Sequence, residues 1–242
     1  MQIAPDTLDV SALDEQDLVN LVLQRSDVLG YNRAAYDMVR DWKAGDPAPL
    51  MQAVREQGET YARRAAEIIR DEFATLRGLL ERLAPRSIAD IGCGYGIFDL
   101  YAHHLLGCDL LLIDIEHSET RHFGFRDQGA GYSSLASAAR LLADNGVPAG
   151  KIRTWNPNRD DMPVDRPVDL AVSFLSCGFH YPVDMYLPFF RYGLAPRGAV
   201  ILDLRSHHAP GIIAQLEELG RVRILRSTAK VTRILLKKRD PE

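Results

Sequence analysis

Ser87-Ile88-Ala89-Asp90-Ile91-Gly92-Cys93-Gly94-Tyr95-Gly96 runs without a break into the apolar segment Ile97 to Leu106. A short apolar run, glycine at every second position and then apolar residues at helical spacing describe a strand that turns sharply into a helix N-terminus. Glycine permits positive φ and lets a ligand approach the backbone, while the unpaired N–H groups of a first helical turn favour an anionic group. Asp90, at the end of the strand, adds an acceptor suited to a ligand ammonium.

The spacing then selects among ligands. The dinucleotide fingerprint G-x-G-x-x-G needs glycine where Ile97 stands, and a phosphate loop needs a Gly-Lys-Ser/Thr ending that is missing here. Roughly twenty residues further on, Asp109 to Ile115 forms a second apolar strand ending in Asp114. Asp90-Ile-Gly92-Cys93-Gly94-Tyr-Gly96 resembles the acidic-x-Gly-x-Gly-x-Gly signature of class I S-adenosylmethionine (SAM) dependent methyltransferases. That resemblance implies SAM as cofactor, a cofactor loop made of Asp90, Gly92, Cys93, Gly94 and Gly96, and Asp114 on the ribose hydroxyls. Ile115 then offers an apolar side chain to one face of adenine. An ordinary strand-helix turn with a core-facing acid is the plain alternative.

A chain of 242 residues is long enough for one large α/β domain, or for one domain with a helical appendage. Its hydrophobic and charged fractions, 46% and 26%, are those of a soluble globular protein. A net charge of -4 does not advertise nucleic acid, and the basic run Lys237-Lys238-Arg239 reads as a solvated tip. Cys93, Cys108 and Cys177 show neither C-x-x-C spacing nor a nearby His pair suited to zinc, so no metal is expected and the compartment is reducing. Met1 to Asp17 is acidic without a continuous apolar core, and no stretch approaches a membrane span. These features predict a cytoplasmic protein with no membrane partner.

In chain order, Asp14 to Ser26, Asn32 to Lys43 and Pro49 to Leu83 carry helical periodicity, with Gly58 a weak point in the third and Pro85 ending it. Residues 1–84 are therefore expected to form a helical cap and residues 85–242 the SAM-binding domain. After the cap, strands are predicted at Ile88–Ile91, Leu110–Asp114, Ile152–Trp155, Leu170–Phe174, Ala199–Leu204, Val222–Leu225 and Val231–Leu236. Helices are predicted at Phe98–Leu106, Ser133–Asn145, Pro182–Tyr192 and Ile212–Leu219. The alternation implies an α/β, doubly wound, Rossmann-like seven-stranded sheet. Only Arg226 to Lys230 separate the last two strands, too few for a crossover helix, so these strands form a C-terminal antiparallel hairpin. Such a hairpin resembles the ending of the class I methyltransferases, and Gly193-Leu-Ala-Pro-Arg-Gly198 is similar to the turn that many of them carry before their fifth strand.

In a doubly wound sheet the ligand lies beyond the carboxyl ends of the strands. At the third end, Asn156 could read the adenine amino edge, with Asp160 and Asp161 as competing candidates and a turn-forming role as the alternative. At the fourth, Ser173-Phe174-Leu-Ser-Cys-Gly-Phe-His180-Tyr181-Pro182 places Phe174 on the cofactor side and imidazole and phenol groups on the substrate side. Methyl transfer to a hydroxyl requires an aligned acceptor and a group that removes its proton. His180, whose ordinary pKa is nearest operating pH, is the candidate base, with Tyr181 orienting it or touching substrate; a structural role for His180 is the competing reading. Nitrogen methyltransferases acting on bases or protein amides typically carry Asn/Asp-Pro-Pro-aromatic at this end, which is absent. The Phe-His-Tyr-Pro segment and the helix around Ser134 to Gly146 resemble bacterial candidate sugar O-methyltransferases. The function expected is O-methylation of a small polar acceptor, with the cap and His117 to Tyr132 as a lid and no nucleic-acid partner. A small-molecule N-methyltransferase and a catalytically inactive SAM-binding regulatory protein are the alternatives.

Overall fold

Apolar runs without polar alternation become strands buried on both faces. In the computed structural model, which describes residues 3–116 and 133–239, β1 (Ser87–Ile91) and β2 (Asp109–Ile113) are such strands. They pair in parallel with Asp90 opposite Leu112. With β3 (Ile152–Trp155), β4 (Val168–Ser173), β5 (Leu194–Arg205), β6 (Gly220–Ser227) and β7 (Val231–Lys238), they make one sheet of order β3-β2-β1-β4-β5-β7-β6. The chain steps outward from β1 to β3 and returns to place β4 beside β1, so the strand order reverses at the carboxyl ends of β1 and β4. The last two strands form the expected antiparallel hairpin, and β7 inserts between β5 and β6.

Two expectations change in detail. The turn expected at Gly193 to Gly198 lies inside β5, as an irregularity where the register against β4 shifts between Val168 and Leu170 and Arg197 takes φ +61°. The helix expected from Pro182 to Tyr192 is split into a 3₁₀ turn, Val183–Tyr186, and α6 (Leu187–Tyr192). Pro188 explains the division: lacking an N–H, it belongs in a first helical turn. The remaining sheet helices are α4 (Ile97–Leu106), α5 (Leu135–Asp144) and α7 (Ala209–Glu217).

The N-terminal part folds as α1 (Glu15–Gln24), α2 (Arg33–Lys43) and the 36-residue α3 (Ala48–Leu83). Asp14 and Asp17 form a reciprocal capping box that starts α1. Gly58 is no weak point. A Cβ there would lie 2.7 Å from Leu18 Cδ1, so its missing side chain lets α1 press against α3. Phe73 of α3 packs edge-on to Phe98 of α4 at 5.4 Å, and the Tyr101 hydroxyl donates to the Ala66 carbonyl at 3.0 Å. One apolar core runs from Leu50, Ala62 and Leu80 of α3 to Ile88, Leu112 and Val172 of the sheet. The opposite sheet face packs Leu111, Ile113 and Leu202 against Phe189, Phe190 and Leu216. Among the described residues no helix is long and apolar enough to cross a membrane. The segment His117 to Tyr132, expected to join a lid, lies outside the described residues.

Candidate functional site

Gly92, Gly94 and Gly96 adopt φ of +77°, +56° and +70°, and the loop they form turns its N–H groups inward. Gly92 N and Cys93 N donate to the Ile113 carbonyl at 2.8 and 3.2 Å, Gly94 N to Asp114 Oδ2 at 3.1 Å, and Gly96 N to the Cys93 carbonyl at 2.9 Å. The bonds to Ile113 and Asp114 tie the loop to the end of β2. A Cβ on Gly92 would collide with Ser176, and one on Gly94 would sit 3.0 Å from Gln24 Oε1. The loop is thus held between the segment after β4 and the end of α1. Tyr95 adds a second tie to the cap, its hydroxyl donating to Asp17 Oδ1 at 3.0 Å.

Three carboxyl groups gather behind this loop. Asp90 is buried at the end of β1, Asp114 follows β2, and Asp99 lies fully buried in the first turn of α4. Burial pushes Asp90 up to about 7; the charge of Asp114 adds to the rise, and a hydrogen bond with Asp99 opposes it. Burial and then the charge of Asp90 raise Asp99 further. Asp114 is raised by burial, against the pull of backbone donors at Glu116 and Gly94. Cys93, partly buried and beside these acids, is held as a neutral thiol.

The carboxyl ends of β1, β2 and β4 open into a cavity of about 520 Å³ that extends under the cap. Asp90, Gly92, Cys93, Gly94, Asp114 and Ile115 form the loop side of its wall, and Gln24 at the end of α1 adjoins them at Gly94. Phe174, His180 and Tyr181 also line it, together with Arg25 after α1, Glu72 of α3 and Arg233 of β7. Phe174 packs against Phe98 at 4.7 Å, and the Arg233 guanidinium lies 5.0 Å over its ring, braced by two bonds to Asp203 at 2.6 and 2.7 Å. His180 sits in a tight turn whose backbone N donates to the Ser176 carbonyl at 2.8 Å, and its ring meets Phe179 edge-on at 5.1 Å. Arg205 fixes that turn by donating to the Phe179 carbonyl at 2.7 Å and covering the Phe179 ring at 5.0 Å.

Asn156 and Gly96 do not line the cavity. The Asn156 amide donates to Glu116 Oε2 at 2.9 Å and to the Ile115 carbonyl at 3.3 Å and accepts from Asn158 N at 3.0 Å, so it serves the turn after β3. Gly96 begins α4, where a Cβ would press on Leu142. The His207 and His208 rings meet at a tilt of 48° with centroids 3.9 Å apart, and no cluster of three metal-ligating side chains occurs among the described residues.

At the level of sequence the chain matches no protein-family model and no curated protein. Its structure is similar to that of a candidate O-methyltransferase from Nostoc punctiforme, with 14% identity and a TM-score of 0.50, over 92% of this chain and 72% of the other. The chain has the class I methyltransferase fold. An O-methyltransferase family protein from Burkholderia thailandensis aligns at 10% identity and a TM-score of 0.48, over 86% of this chain and 72% of that one. A ribosomal protein L11 methylase from Lactobacillus delbrueckii subsp. bulgaricus aligns at 23% identity and a TM-score of 0.47, over 69% and 79%.

The class I methyltransferase fold implies a cofactor with an ammonium, a sulfonium and ribose hydroxyls, and the donor set can be tested against it. Asp90 and Asp114 supply acceptors, and the amides of Gly92, Cys93, Gly94 and Gly96 are already bonded. This chemistry suits cations and hydroxyls and does not suit a pyrophosphate. The residues fit. Sequence reasoning missed the cap's share of the cavity, Gln24, Arg25 and Glu72, and it missed Arg233, because nothing in their local pattern points to a ligand. Asp99 did leave a signal: it is an acid inside the otherwise apolar opening of α4, Ile97-Phe-Asp-Leu-Tyr-Ala102.

Proposed function

We propose that the protein is a SAM-dependent methyltransferase that methylates a hydroxyl of a small polar acceptor, a sugar or sugar-linked metabolite. The observation that carries this reading is one cavity lined both by the acids Asp90 and Asp114 and by the His180–Tyr181 turn. When bound, SAM supplies a methyl group on a sulfonium. Asp90 would hold the cofactor ammonium, Asp114 the ribose hydroxyls, and Ile115 one adenine face. Phe174 and Phe98 provide an apolar wall between the two ends, which keeps water from the reacting centre. His180 would take the proton of the acceptor hydroxyl, and Tyr181 would orient the acceptor. Residues 1–84 act as a cap over the domain formed by 85–242 and favour a small acceptor over nucleic acid. The unpaired Cys93, Cys108 and Cys177 support a reducing, cytoplasmic setting.

The test is calorimetry with S-adenosylhomocysteine and with NAD, followed by transfer of labelled methyl from SAM to a panel of sugars and amines. Binding of the first ligand alone and a labelled methyl ether support the proposal. Labelled amine would reassign the acceptor, and binding without transfer to any acceptor would favour the regulatory reading. A protein that binds neither ligand would overturn the assignment.

A further inference from the structure

Asp99 is the third residue of α4, both of its carboxyl oxygens are buried, and among the described residues no donor but its own backbone N–H is near them. An ionised carboxylate deprived of water and held by no more than one backbone donor is costlier than the neutral acid, so Asp99 keeps its proton. A carboxylic acid has one O–H to give, and the carboxyl group facing it is that of Asp90. Asp90 in turn lines the cavity. Among the described residues the other titratable groups around the pair are Asp114 after β2 and the thiols of Cys93 in the loop and Cys108 before β2, and no cation is among them.

We propose that Asp99 is a positioning residue for the cofactor cation. It holds its proton against Asp90, so that the pair presents one carboxylate to the cavity and takes up a further proton when no cation is there. The inference rests on the SAM reading given above. Arrival of the ammonium stabilises the Asp90 carboxylate and expels the second proton to solvent, with no covalent change. Burial, which raises Asp90 to about 7, puts this exchange in the neutral range. The sign follows. Below that pH the empty site is protonated and the cation must displace a proton, so affinity falls as pH falls, toward about tenfold per unit, and levels off above it.

The experiment is calorimetry of S-adenosylhomocysteine binding between pH 5.5 and 8.5 in buffers of different ionisation enthalpy, with melting temperatures measured alongside. Wild type should lose affinity below neutrality and release up to one proton per ligand there. Asp99→Leu removes the donor to the Asp90 carboxylate; affinity near pH 7 should fall by about 10- to 100-fold and the midpoint should move to higher pH. Asp99→Asn, which keeps an N–H donor, should restore the wild-type midpoint to within about half a unit and affinity to within about threefold, the scale below that of one hydrogen bond to a charged group. A purely structural Asp99 would lower the melting temperature in both variants and leave the pH profile where it was, which overturns the proposal. So would wild-type affinity that is independent of pH with no proton release, or an Asp99→Asn midpoint lowered by a unit or more, the mark of an ionised Asp99. If Asp99→Leu does not fold, the wild-type proton release and Asp99→Asn still decide. Absence of binding at every pH would instead sink the cofactor assignment itself, whereas binding without the pH linkage removes only the role of Asp99.

Discussion

The two ends of the cavity are built in opposite ways. The loop end comes from one strand-turn-helix unit and the strand after it, Asp90 to Ile115, and its polar groups are acids that burial pushes toward the neutral form. The rest of the wall, the acceptor end of the proposed function, is assembled from four separated places: Arg25, Glu72, the Phe174 to Tyr181 segment, and Arg233. Its charges are already paired, Arg25 with Glu72 and Arg233 with Asp203. One part is a local motif that presents two buried carboxyl groups. The other is a tertiary construction, whose residues Arg25, Glu72 and Arg233 are not hydrogen-bonded to the glycine loop. A division of this kind separates retention of the donor from choice of acceptor, and substitutions at the two ends should therefore fail differently.

The largest effect is expected at the far end. His180→Ala should leave S-adenosylhomocysteine affinity close to wild type, lower kcat by about 100- to 10,000-fold, and remove the acidic limb of the pH-rate profile. A stable variant retaining more than about a tenth of wild-type kcat would take His180 off the reaction path and leave it as a residue of the Ser176–Pro182 turn. At the loop end, Gly94→Val should lose measurable cofactor affinity. A β-branched residue resists φ +56°, and its Cβ would stand 3.0 Å from Gln24 Oε1, so the strain reaches the cap as well. Unchanged affinity in that variant would break the comparison at its better-defined end.

How much of this was legible in the sequence follows the same division. The central strands were legible because they are apolar runs bounded by turn residues, and the β6–β7 hairpin because only Arg226 to Lys230 separate its two predicted strands. The glycine loop was legible because its spacing is local. The direction of its amides was not, since that depends on the Ile113 carbonyl and the Asp114 carboxylate of the neighbouring strand. Gly58 looked like a helix defect because propensity sees a missing side chain and not the Leu18 that fills its place. Asn156 looked like a reader of adenine because it ends a strand, but the fold sets Glu116 beside it and uses up its amide. Arg25, Glu72 and Arg233 are far apart in sequence and converge only through packing of the cap on the sheet.

Next in size is Asp114→Ala. The two carboxylate oxygens hold Gly94 N and Glu116 N, so the substitution removes the proposed ribose acceptor and loosens the loop together. Cofactor affinity should weaken by about 1.5 to 3 kcal/mol, the worth of hydrogen bonds to a charged group, while preference among acceptors stays fixed. A change of acceptor preference at normal cofactor affinity would move Asp114 to the substrate end.

The smallest effect is expected from Glu72→Gln, and it sharpens the comparison most. Glu72 receives two bonds from Arg25, at 3.2 and 2.9 Å, and the pair spans from the end of α1 to α3 at the mouth of the cavity. The side chains are 25% and 49% exposed, so solvent screens the attraction and the pair should contribute no more than about 1 kcal/mol to stability. If its task is to shape the acceptor end, Glu72→Gln should raise the acceptor KM several-fold while melting temperature and S-adenosylhomocysteine affinity stay near wild type. Gln keeps the size and an acceptor oxygen, so any KM change reports the charge on Arg25 freed to face the cavity, and salt should diminish it. A variant that instead melts several degrees lower with an unchanged KM would make the pair a strut between α1 and α3, and the acceptor end would then begin at Phe174 and Arg233.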